Sequence, residues 1–365
     1  MLARLTSVKC LMGESRPGGT QDGPRTPPHD THKGCHYIPN GQYPTVPPRS
    51  IPWIFTTIVC TCFLLILLTS CASSSPPGVV PTRTAVSSPT GGVASPAASP
   101  SSGADTTPTH YTSRVVLQGV GRPDDLVFDQ QGRLLFSDFY NGTISRVNAD
   151  GSVTVLLRGV AGPEGMVVLQ DGTMIIAEQR TNRILSLPPG AHSPTVLRTL
   201  PGTPSAAPCK DGVDGIAFDP TTNTIIVPDS PTGEVYRMSP DGKTLTLLVS
   251  GIVRPVGAVV DAQGNIYVAD ECGGTIWRIT PAGKTTRMGG FGMPDDVAID
   301  KHGNLLVIDL EPSIHALIRV RLSTGKHETL ASKGFIEPQG LVVDDNDDIF
   351  VSDDYANINM EYKPA

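Results

Sequence analysis

One phrase returns six times in the second two-thirds of the chain. It reads RPDDLVFDQQGRLLFSD from Arg122, GPEGMVVLQDGTMIIAE from Gly162 and VDGIAFDPTTNTIIVPD from Val213. It then reads RPVGAVVDAQGNIYVAD from Arg254, MPDDVAIDKHGNLLVID from Met293 and EPQGLVVDDNDDIFVSD from Glu337. Self-similarity at a fixed period of about 40 residues restricts a chain to stacked or radial repeats. Each unit holds short apolar runs of strand length separated by turn signals, first Asp-x-x-Gly and later pairs such as Asp150-Gly151. No segment sustains a 3.6-residue period, so helix is expected to be nearly absent. Four short antiparallel strands per unit, six times over, predict an all-β, six-bladed β-propeller across residues 111–365. The last unit runs out after three strands, while Arg114–Leu117 precedes the first unit without a partner. That strand is expected to complete the sixth blade and close the ring, removing an open edge.

The chain before the repeats is of another kind. Residues 53–70 carry no charge and end in Leu68-Thr69-Ser70-Cys71. Their length fits either a signal-peptide core or a membrane anchor. The ending resembles a bacterial lipobox, which implies lipidation of Cys71; an uncleaved anchor is the alternative. Either reading makes the protein an extracytoplasmic one, membrane-anchored as a bacterial lipoprotein or secreted. Residues 1–52 show no periodicity and read as a disordered lead. Residues 72–110 are Ser, Pro, Ala, Thr and Gly with two charges, too poor in apolar side chains to order themselves, and read as a tether. The formal net charge is −7, with no basic patch in the repeats, which excludes a nucleic-acid binder. A monomer is expected. Of seven cysteines only Cys209 and Cys272 lie in the repeats. Both fall on one rim in adjacent blades, where they either pair as a disulfide over the channel mouth or remain two buried thiols.

Propeller geometry sorts the acidic residues into two rings. The residue ending each second strand reads Asp138, Glu178, Asp229, Asp270, Asp309 and Asp353. A position acidic in every blade serves the blade, through hydrogen bonds to turn amides; Asp229 is the member hardest to exclude from a site. The residue after the Pro position reads Asp124, Glu164, Asp214, Val256, Asp295 and Gln339. Four carboxylates converging on a narrow mouth repel one another, so some are protonated or a cation sits among them. A hard divalent ion with oxygen ligands, Ca²⁺ above all, suits such a set. The alternative is a hydrated ring too wide to share an ion.

The repeats look like NHL repeats and resemble the regucalcin/gluconolactonase family over residues 114–365, and more loosely virginiamycin B lyase. The resemblance implies a divalent metal at the channel mouth held by Asp124, Glu164, Asp214 and Asp295. There the metal would polarise a lactone or ester carbonyl while Asp214 or Asp295 activates water. No Asn stands in the ring, and Val256 and Gln339 fall where ligands are expected, which puts the activity in doubt more than the metal. Two other readings stand beside this hydrolase. One is a non-catalytic NHL-type module that binds or senses a small molecule or protein. The other is a lyase using His315 on the mouth rim as general base.

Overall fold

The computed structural model describes residues 110–365. The apolar run at 53–70, Cys71, the lead and the tether up to residue 109 lie outside the described residues. Twenty-four strands form six four-stranded antiparallel sheets, and among the described residues the only helical element is the 3₁₀ turn Gln179–Thr181. Blades one to five run through the chain in order, each starting with its innermost strand: Leu126–Phe128, Pro163–Val168, Ala217–Asp219, Pro255–Val260 and Pro294–Ile299. The sixth blade takes three strands from Pro338 onward, and its outermost strand is Tyr111–Gln118 from the start of the described residues. This strand pairs antiparallel with Ile358–Pro364 from Tyr111↔Pro364 to Gln118↔Ile358. It is longer than the Arg114–Leu117 segment expected, because the last strand offers it partners along its whole length.

The alternation of apolar residues along each strand places one hydrophobic cluster between every two neighbouring blades. Ile144, Met166 and Ile176 join the first blade to the second, and Ile184, Val213 and Ile225 join the second to the third. The sixth cluster, Leu117, Leu126, Phe136 and Phe350, packs the closing blade on the first, with Phe128 and Phe350 edge to face at 5.3 Å. No blade buries its faces alone, which is why the repeat has to go full circle.

The Asp-x-x-Gly turns are built alike. Asp129 Oδ1 accepts the amides of Gln131 and Arg133, Asp261 those of Gln263 and Asn265, and Asp300 those of His302 and Asn304. The glycine follows in the left-handed region, at φ +69° for Gly132, where a side chain is strained. The sixth unit has Asp347 at φ +68° there instead.

The uniform acidic ring has the structural role its uniformity predicts, with a wider reach. Each carboxylate accepts backbone N–H groups from the segment arriving from the previous blade. Asp138 takes Arg122, Glu178 takes Ala161, and Asp229 takes Gly202. Asp270 takes Val253 and Arg254, Asp309 takes Gly292 and Met293, and Asp353 takes Ile336 and Glu337. Four of the six also bind an amide of the turn that follows, as Asp309 does with Glu311 and Asp353 with Ala356. Asp229 is fully buried and committed to Gly202 and the Asn182 amide, so it is part of this scaffold. Replacing Asp309 by Ala orphans three amides and is expected to cost about 3 kcal/mol or more, since bonds to charged acceptors contribute roughly 1.5–3 kcal/mol each. Asp309→Asn, which keeps one acceptor oxygen, loses less; urea unfolding of the two variants measures both.

Candidate functional site

The inner strands bulge where they line the channel. Register with the second strand shifts between Pro163 and Met166, Pro255 and Ala258, Pro294 and Val297, and Pro338 and Leu341. The two bulged residues are thereby aimed at the axis. They are the ring residue and the one after it. Neighbouring inner strands meet here backbone to backbone, with Gly165 N donating to Asp214 O at 3.2 Å and Gly340 N to Asp124 O at 3.0 Å. A Cβ on Gly257 would stand 2.7 Å from the Cα of Asp296, and one on Gly340 2.7 Å from the Cα of Asp125. Glycine is required there by close approach.

Asp124, Glu164, Asp214 and Asp295 all face the channel, as the register predicts, and Gln339 joins them while Val256 is buried. Three of the four, Glu164, Asp214 and Asp295, also line the cavity at the mouth. A cation does sit among them, and it is the protein's own. Arg254, two residues before the one apolar ring position and directly before its proline, turns its guanidinium into the mouth and is 4% exposed. It pairs with Asp214 Oδ2 at 3.0 Å, with Asp211 Oδ2 at 3.7 Å and with the fully buried Glu271. Gln179 Nε2 donates to the same Asp214 oxygen at 3.1 Å. Sequence reasoning missed Arg254. Its signal was the Arg-Pro pair in the one unit whose ring position is apolar: the fourth blade supplies a cation two residues earlier.

Cys209 and Cys272 are joined, with Cα atoms 6.2 Å apart. The bridge holds the long connection around Leu200–Asp211 to the rim, and the acids beside it, Asp211 and Glu271, are the ones that flank Arg254 at the mouth. The space left there is small, about 20 Å³.

Deeper in the channel stand two carboxyls that the sequence reading passed over, Asp125 and Asp296. They occupy the position that is Gly165, Gly215, Gly257 and Gly340 in the other four blades. That departure from glycine in the two Pro-Asp-Asp units was the available signal. Asp296 accepts from Val297 N at 2.8 Å and from Leu341 N at 2.7 Å, and Asp125 from Leu126 N at 2.6 Å. Burial pushes both carboxyls well above the usual range, and the charge of Asp296 adds to this at Asp125, as that of Asp295 does at Asp296.

As they stand these side chains do not form a metal centre. Among the described residues no group of three or more His, Cys, Asp or Glu is gathered closely enough to hold an ion. Asp214, assigned both a ligand's and a base's role by the resemblance, has one oxygen committed to Arg254 and Gln179. His315 lies on the mouth-side rim in the turn after Asp309, at φ +35°, and does not line the mouth cavity.

No protein-family model and no curated protein sequence matches the chain. Among solved structures it is similar to a gluconolactonase from Xanthomonas campestris, at 16% identity over 70% of this chain and 90% of that one, with a TM-score of 0.57. It is similar to virginiamycin B lyase from Staphylococcus aureus crystallised with quinupristin, at 17% identity over 68% and 82%, with a TM-score of 0.53. It is also similar to a chain of a nidogen/laminin complex, at 18% over 64% and 93%, with a TM-score of 0.52. At these identities the likeness establishes the fold, a gluconolactonase-like propeller that is shared with lyases.

Two outcomes follow from the electrostatics of the channel. Arg254→Met strands the buried Glu271 and its neighbours without a counter-charge, and thermal or urea unfolding should register a loss of about 3–5 kcal/mol. Asp125→Asn should stabilise the protein at neutral pH. A carboxyl whose pKa is raised by folding binds its proton more tightly in the native state, so wild-type stability falls as pH rises above the unfolded value of about 3.9. The advantage of Asp125→Asn should accordingly shrink as the pH of the unfolding experiment is lowered toward that value.

Proposed function

We propose that the protein is an extracytoplasmic binding propeller, carried on its apolar or lipid anchor and tether, that engages a partner with its mouth-side face and catalyses nothing there. The observation that carries this reading is Arg254. It compensates the acidic mouth from within and occupies an oxygen of Asp214, the carboxylate that metal-assisted hydrolysis would need as ligand or base. The face around the mouth has the composition of a recognition surface. Val120, Val253, Ile314 and Ile336 are exposed on its connections and turns. Arg122 lies between the rings of Tyr140 and Tyr355, 3.6 and 4.1 Å from their centroids, and Arg180 covers Phe139 at 4.4 Å. Exposed aliphatics beside Tyr and Arg mark association sites on proteins that are otherwise charged.

A metal-dependent lactone or ester hydrolase is the second reading. It is favoured by the fold shared with a gluconolactonase and by Glu164-Gly165 and Asp214-Gly215 in the expected register. Two measurements on the full-length protein separate the two. A panel of aldonolactones and alkyl lactones with Ca²⁺, Mg²⁺ or Zn²⁺ should show no turnover above the spontaneous rate. Turnover that a chelator abolishes and Glu164→Gln removes overturns the binding reading. A photo-crosslinking residue at position 253 or 336 should give a discrete adduct in producing cells, and the same residue at position 241, in an outer hairpin on the opposite rim, should give none.

A further inference from the structure

A cavity much larger than the one at the mouth lies away from it. It opens between the first and second blades on the opposite rim, where the Asp129–Gly132 turn and the hairpin 188–194 stand, and its volume is about 550 Å³. Small-molecule sites span about 300–1,000 Å³ and are mostly apolar with a few placed polar groups. The walls here are Leu135, Leu156, Val168, Met174, Leu187 and Pro189.

Two features make this blade interface differ from the others. The outer hairpin of the second blade, Pro188–Pro194, has seven residues, against four to six in the corresponding hairpins of blades one, three, four and five. Its Pro188-Pro189-Gly190-Ala191-His192 stretch borders the cavity, and the Gln130 amide, donating to Leu169 O at 2.7 Å, ties the first-blade turn to the second blade beside it. At the next interface the equivalent room is taken. A Cβ on Gly242 of the third-blade hairpin would lie 2.6 Å from Leu197 O of the second blade.

Of the charged and polar side chains that line the cavity, only Asp129 and Arg146 are not exposed, and Asp129 is paired with Arg133. The third-strand position of Arg146 carries Arg237, Arg278 and Arg319 in the third, fourth and fifth blades. Arg237 is paired with Asp219, Arg319 with Glu328, and Arg278 binds Asn265 and faces Tyr267. Arg146 has only a neutral partner, the Asn148 side-chain oxygen, reached by Nε and Nη2 at 3.2 Å each, and it borders a ligand-sized apolar space. The other arginine at the cavity, Arg133, is neutralised by Asp129 on the exposed lip, and the exposed Asp171 takes the Thr173 amide. A half-buried guanidinium with no carboxylate of its own, at the edge of a hydrophobic pocket, is complementary to a carboxylate on an apolar body.

We infer that the cleft between the first two blades is a binding site for a small anionic amphiphile, a carboxylic acid with an aliphatic or aromatic body, whose carboxylate Arg146 receives. The site is independent of the mouth-side face and of what that face binds.

The test is calorimetric titration of the full-length protein with decanoate, and with decanol as the uncharged counterpart. Wild type should bind one decanoate saturably. Arg146→Gln should weaken that binding about tenfold, the loss of one charge-assisted contact, and leave decanol unaffected. Met174→Trp, which fills the cavity, should abolish binding of both. Val155→Trp at the exposed lip should do the same with the buried core untouched, so a misfolded Met174 variant does not decide the matter. Absence of saturable decanoate binding overturns the inference. So does binding that Arg146→Gln and both tryptophan variants leave unchanged, which would place the decanoate elsewhere on the chain.

Discussion

Six carboxylates hold this propeller's connections in place. Each ends the second strand of a blade and accepts amides of the segment arriving from the blade before. A connection that crosses from an outer strand to an inner one has no ladder to satisfy its N–H groups, and burying them unpaired is costly. An acceptor-only side chain placed once per blade removes that cost. It also sets where the inner strand begins, and hence which residues bulge toward the axis. The register of the channel-lining residues depends on these bonds.

With the register fixed, the chemistry of the channel follows from charge. Acidic side chains brought to one axis need positive charge or protons, and the protein supplies both. Arg254 neutralises the mouth on the side of the third and fourth blades. Deeper down, Asp125 and Asp296 are pushed toward their neutral forms by burial and by the charges around them. The disulfide between Cys209 and Cys272 brings two further acids to Arg254, so the mouth is closed by a network spanning a long connection and two blades. The same fold carries a lactonase and a lyase in other proteins, and site chemistry, not the ring, separates such activities.

The ring, the blade count, the closing strand and the scaffold role of the uniform acids were legible because each is a local signal multiplied by six. Asp309 and Asp353 read alike in the sequence and act alike in the fold. The mouth was legible only in part. Asp124, Glu164, Asp214 and Asp295 could be placed by register, and Cys209 and Cys272 could be placed on one rim. Arg254 could not be assigned, because an arginine before proline also stands at Arg122, which turns instead to stack between Tyr140 and Tyr355. Asp125 and Asp296 were hidden for a related reason: they are visible only as the two blades where a glycine is missing.

The sequence by itself determined the architecture, since a hydrophobic period of two and a turn every few residues, repeated six times, leave few other ways to bury the apolar faces. It also placed Asp124, Glu164, Asp214 and Asp295 on the axis, since register carries over from blade to blade. The tertiary structure decided how charges pair and where space remains. Whether a guanidinium enters the channel, meets two aromatic rings or borders an apolar cleft depends on neighbours contributed by other blades, distant in the chain and absent from any single repeat. Long side chains choose among such partners by small differences in burial and distance, and those differences exist only once the ring has closed.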